Sequence, residues 1–284
     1  MLSTLDDALP GPALARPVIV QAEPIPPWRW AVFIATVATF VHDLAIARLG
    51  APGFSDVLLA GATGVVPAPT AFRAWTLIQI ALVGYGLVQL AESQRRIAVH
   101  DRLAGPIVLA CLLICVQRAT LGSDPALTAA LSVALAATAG VAFVVVHAAV
   151  VQQTTWAVYL PSPWLPVPIA LLLGWSLVTS GVAIDAAFTS AGTQSLAPAI
   201  GVIAAIGAAA STLALRHRDA VMPALVAWLL TSICAGNIAP PAVAAAALVA
   251  AAGCAASAIV IATTRATPSR RGASPSPSPR SRRA

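Results

Sequence analysis

Eight residues have the type and setting to do chemistry inside an apolar protein: His42, Asp43, Trp75, Gln79, Trp175, Thr179, Asp185 and Trp228. All lie in long apolar runs. His42 and Asp43 are adjacent, so on a helix they point about 100° apart and cannot form one acid–base pair on one face. Each is either a polar group satisfied by a neighbouring helix or headgroup, or part of a polar cavity or proton path. The same two readings apply to Asp185, which sits near the end of its run. Trp75 stands one helical turn before Gln79, while Trp175 and Trp228 fall near the middle of their segments. A buried indole supplies a flat apolar face and one N–H donor, which suits a pocket for a planar lipophilic molecule. Its other use is core packing, with the indole bonded to a neighbouring carbonyl.

These residues need elements to hold them, and the composition says which kind. Of 284 residues, 59% are hydrophobic and 9% charged, about a third of the charge of a soluble domain. The pattern is that of an all-α integral membrane protein. Eight apolar segments predict a bundle of about eight membrane-crossing helices: roughly 28–49, 70–90, 104–120, 126–151, 167–187, 197–215, 220–236 and 240–263. Each is about long enough to cross a bilayer at roughly 1.5 Å per residue. The fifth, from Pro166 to Ala187, organises the others. At helical spacing its Gly174, Val178, Gly181 and Asp185 share one stripe, where the glycines permit a close neighbour. The last segment, rich in alanine with Gly253 and Ser257, suits close helix packing and reads as scaffold.

The 16 basic residues are all arginine. With a cytoplasmic N-terminus and an even number of crossings, only Arg48, Arg73 and Arg118 fall outside. That asymmetry predicts both termini in the cytoplasm of a multi-pass cell-membrane protein. His147, closing the fourth segment on the inner side, reads as interfacial. Trp28, Trp30, Trp156 and Trp164 lie at segment edges, as an aromatic belt does. Residues 1–27 are expected to be a disordered leader, 28–264 the helical domain and 265–284 a disordered basic Ser/Pro/Arg tail. Cys111, Cys115, Cys234 and Cys254 all lie in apolar runs and read as small helix residues. No basic face with interleaved aromatics points to nucleic acid. HExxH, GxSxG, P-loop and GxGxxG motifs and any metal-ligand cluster are missing, so no enzyme is predicted.

At its tryptophans the chain resembles the long form of the tryptophan-rich sensory protein (TspO/MBR) family. The stretch PAPTAFRAWTLIQ, Pro67 to Gln79, is similar to the family's second helix at Pro69, Phe72 and Trp75. PIALLLGWSLVT, Pro168 to Thr179, is similar to its fifth helix at Pro168, Gly174 and Trp175. RHRDAVMPALVAWLL, Arg216 to Leu230, resembles the opening of a C-terminal helix at Arg218, Asp219 and Trp228. The chain departs from the family where Gln117 and Arg118 stand in place of third-helix tryptophans. The resemblance implies a five-helix core with further C-terminal helices, binding a planar hydrophobic small molecule such as a porphyrin or haem for sensing or transport. Trp75 and Trp175 are then expected as aromatic walls and Gln79 as a polar anchor. Asp185 with His42 or Asp43 is expected to form a polar mouth. The bilayer is the first partner, and a homo-oligomer is compatible with the sequence. Two other readings stand beside this one: a secondary transporter coupled to protons through Asp43 or Asp185, and a structural subunit of a membrane complex.

Overall fold

The computed structural model describes residues 24–49, 65–95, 97–152, 165–192, 195–235 and 240–266. These form eight helices and no strand among the described residues: α1 (Pro27–Arg48), α2 (Arg73–Val88), α3 (Val99–Ala119), α4 (Pro125–Gln152), α5 (Pro166–Ser190), α6 (Ala197–His217), α7 (Val221–Ala235) and α8 (Pro241–Ala266). A 3-10 turn, Pro69–Phe72, leads into α2. With that turn included, seven of the helices are long and apolar enough to cross a membrane; α7 is shorter. The expected all-α membrane bundle is therefore what the chain forms. The leader, the tail, Trp156 and Trp164 lie outside the described residues.

Proline sets the starts. Pro27, Pro166 and Pro198 stand in the first two positions of α1, α5 and α6, where a fixed φ is already helical and no amide is lost. α3 begins five residues before the expected 104, because His100 and Asp101 are held by partners that sequence periodicity cannot show. Tyr85 Oη lies 3.2 Å from His100 Nδ1, and Arg29 Nε donates to Asp101 at 2.8 Å. Arg29, counted from the sequence among the arginines of the cytoplasmic side, is fully buried in α1.

α5 is the axis of the bundle. It packs against α2, α4, α6 and α7, while α1 closes against α2 and α3 and α8 closes against α6 and α7. In its apolar window 78% of residues are buried. The glycine stripe serves two neighbours rather than one. A methyl group on Gly174 would come 3.3 Å from the Met222 carbonyl oxygen of α7, whereas Gly181 faces Val202 and Ile206 of α6. The stripe thus fastens the five N-terminal helices to the three that follow. α8 behaves as scaffold: its buried Ala247, Ala251 and Cys254 face inward, and Cys254 lies 3.7 Å from Ser211 Oγ of α6.

The turn between α6 and α7 is built by polar chemistry. Arg218 adopts a left-handed conformation at φ 54°, which ends α6. Asp219 then accepts from the Val221 and Met222 amides at 3.0 and 2.9 Å, capping α7. Its second oxygen lies 3.2 Å from His147 Nε2 of α4. His147 is thus buried and paired beside this turn. Asp219→Ala is expected to lower the unfolding free energy by about 1 to 2 kcal/mol. Asp219→Asn, which keeps a cap oxygen, should lose less; equal thermal midpoints for wild type and Asp219→Ala in detergent would refute the cap.

Candidate ligand-binding site

The first five helices line a half-open cavity of about 330 Å³. α1 contributes Phe40, Asp43, Leu44 and Ala47; the 3-10 turn contributes Phe72; and α2 contributes Trp75, Thr76 and Gln79. Ile114, Gln117 and Arg118 come from α3, Leu135 from α4 and Trp175 from α5.

One wall is aromatic. The helical spacing that sets Trp75 and Gln79 on one face of α2 turns both inward, and the indole of Trp75 stacks on that of Trp175. The ring centroids are 5.5 Å apart and the planes tilt by 27°. Phe72 meets Trp175 edge-on at 5.7 Å and 83°. The indole of Trp175 is positioned because the neighbouring Gly174 lets α7 press closely behind it. Offset-stacked and edge-on arrangements are the ones that ring quadrupoles favour, worth about 0.5 to 1.5 kcal/mol per pair beyond area. Two large, pre-oriented flat surfaces therefore border the empty space.

The other wall is polar and centred on Asp43. Oδ2 accepts from Trp75 Nε1 at 2.6 Å and from Gln79 Nε2. Oδ1 accepts from Arg118 Nε at 3.0 Å. The Asp43 and Arg118 side chains are 8% and 14% exposed, so this is a desolvated ion pair whose carboxylate takes three donors. Beside it Gln117 Nε2 donates to Ser132 Oγ of α4, which donates in turn to the Thr128 carbonyl. The site can hold a flat apolar body against the indoles and meet polar substituents at the opposite rim.

Four of the expected site residues, Asp43, Trp75, Gln79 and Trp175, come together here. The other four do not line the cavity. Thr179 is buried but gives its hydroxyl to the Trp175 carbonyl at 3.0 Å. Asp185 is buried outside the cavity lining, with the Val65 backbone hydrogen-bonded to its carboxyl. His42 is half-buried on another side of α1, as the 100° offset from Asp43 requires. Trp228 is 47% exposed, because α7 packs through Met222, Val226, Leu229, Leu230 and Ile233 and turns the indole outward. The expected polar mouth made by Asp185 with His42 or Asp43 is not formed.

Sequence reasoning missed Arg118 and Gln117 as site residues and counted Arg118 as an outer loop charge. Arg118 stands in the last turn of α3. A signal was available: Asp43 and Arg118 are single opposite charges near the same ends of two apolar segments, and a membrane interior favours pairing them.

A family model described as TSPO-like protein matches residues 26–261. No curated protein matches the chain, and no solved structure does.

Proposed function

This chain belongs to the TSPO-like protein family, and from that premise we propose that it binds a planar hydrophobic small molecule in the cavity between α1 and α5. A tetrapyrrole such as a porphyrin or haem is the class whose shape suits the site. The observation that carries this reading is the stacked pair Trp75 and Trp175 lining a half-open pocket of about 330 Å³, within the range of small-molecule pockets. The role is binding for sensing or transport rather than catalysis. The arginine distribution supports both termini on the cytoplasmic side of the cell membrane. In that orientation the cavity lies toward the outer ends of α1 and α3.

The test is a titration of the protein in lipid nanodiscs with protoporphyrin and with haem, following tryptophan quenching and the tetrapyrrole absorption band. Saturable binding is expected. Trp175→Ala is expected to raise Kd about tenfold or more, the loss of one aromatic wall at roughly 1.5 kcal/mol or above, and Trp175→Phe to raise it less. Trp228→Ala, outside the cavity, should leave Kd unchanged. Equal affinity in wild type and Trp175→Ala would remove the aromatic-wall reading.

A further inference from the structure

The polar wall of the cavity holds one set of groups that answer one another and one residue that stands apart from it. Trp75, Gln79 and Arg118 each give a donor to Asp43, and the charges of Asp43 and Arg118 neutralise each other. Gln117 takes no part in that set. It lines the cavity from α3, and its partner is Ser132 of α4.

Which end of the Gln117 amide meets Ser132 follows from counting hydrogens. A serine hydroxyl has one, and Ser132 gives it to the Thr128 carbonyl at 2.8 Å. The Ser132 oxygen can then only accept, so the amide nitrogen of Gln117 is the end that faces it. Ser132 is itself fully buried and braced from α5, where Ser180 Oγ donates to its carbonyl at 2.7 Å. The amide oxygen, Oε1, is therefore the untethered end. It takes no donor among the described residues, and it is not sealed from the empty space. Gln117 is 5% exposed, and the surface it keeps belongs to the cavity it lines.

What this oxygen lacks is a hydrogen. A ligand hydroxyl supplies one, and its own oxygen can take the second N–H of the same amide. An ether supplies none. A carboxylate sets acceptor against acceptor, and an ammonium brings an unpaired charge out of water.

We infer that Gln117 is a specificity-determining residue that selects planar ligands bearing an uncharged hydroxyl, which donates to Oε1 while the ring body lies against Trp75 and Trp175. The inference rests on the cavity being the binding site proposed above. Ser132 is the positioning residue: by holding the amide nitrogen it turns the carbonyl end toward the ligand.

The experiment compares haematoporphyrin dimethyl ester, which is uncharged and carries two peripheral hydroxyls, with the same ester methylated on both hydroxyls. Both are titrated in nanodiscs of phosphatidylcholine, a lipid with no hydroxyl of its own to compete. Wild type is expected to bind the diol about fivefold or more tightly than the ether, the scale of a hydrogen bond between neutral groups. Gln117→Met keeps the bulk of the side chain and removes the amide. It is expected to bind both compounds alike, at about the wild-type affinity for the ether. Ser132→Ala keeps the amide but frees its orientation, and is expected to lose part of the preference. Equal binding of diol and ether by wild type overturns the inference while leaving the aromatic cavity in place. The full preference in Gln117→Met overturns it too, because the added methyl groups and not the amide would then discriminate. Should Gln117→Met fail to fold, the full preference in Ser132→Ala has the same force. No saturable binding of either compound, or binding of both that Trp175→Ala leaves unchanged, overturns the cavity reading and this inference with it.

Discussion

Asp43→Ala is expected to lower the unfolding free energy by about 3 to 5 kcal/mol, the usual cost of taking one partner from a buried ion pair. The loss is not one bond. The substitution takes the counter-charge from Arg118 and the acceptor from Trp75 Nε1 and Gln79 Nε2, in a place with little water to replace it. Three helices lose a shared anchor, since the carboxylate on α1 ties α2 and α3 together. Asp43→Asn keeps an oxygen for the indole and should cost less. Asp43→Leu combined with Arg118→Leu should recover most of the stability, because the desolvation of both charges disappears with them. The measurement is denaturant unfolding in detergent micelles, arranged as a double-mutant cycle. A coupling energy below about 0.5 kcal/mol, the level of independent sites, would mean that the pair contributes nothing as a pair.

Arg29→Ala is the second large effect, at about 3 kcal/mol or more. Arg29 has no exposed side-chain surface and distributes its donors over four acceptors. Nε binds Asp101, Nη1 reaches the Gln94 and Gln89 carbonyls at 2.9 and 3.4 Å, and Nη2 reaches the Ile97 carbonyl at 3.3 Å. Those carbonyls belong to the link between α2 and α3, so one side chain from α1 closes one end of three helices. Asp101 is 37% exposed and can return to water, so most of the cost comes from the carbonyls. Arg29→Lys should rescue little, since an ammonium is a compact charge that cannot span a planar set of acceptors. Hydrogen exchange reads this directly: amides around 89–97 should lose protection in Arg29→Ala. Unchanged protection there, with an unchanged unfolding midpoint, would show that the buried guanidinium is not what holds the link.

The two effects differ in what they say about function. Arg29 sits away from the cavity and its loss should lower stability without changing which ligands bind. Asp43 belongs to the cavity wall, so its loss should change stability and ligand discrimination together.

Much of this was legible in the residues. The eight segments were readable because a bilayer demands about twenty apolar residues per crossing, and a run of that length does not depend on its neighbours. Expected and observed ends agree closely for α1, α4 and α5, where proline marks the start. The family resemblance at Trp75 and Trp175 held over residues 26–261. The glycine stripe on α5 also followed from helical spacing alone. In each case the property belongs to one helix and to its period.

What could not be read was which faces meet. Asp43, Gln79 and Trp175 were named as candidates, but the opposite charges of Asp43 and Arg118, 75 residues apart, were the one sequence signal that Arg118 would complete the set, and charge alone does not say which helix faces meet. Asp185 and Trp228 had the same residue types as residues of the cavity wall, yet one is buried beside the Val65 backbone outside the cavity lining and the other faces outward. Residue type and depth are set along each helix. Partners are set by the rotation of every helix about its axis, which depends on how the helices pack on one another, and a rotation of about 100° moves a side chain from a cavity to the lipid. The length, number and polarity of the crossings are thus written locally, while the ion pair and the stacked indoles exist only once the helices have closed on one another.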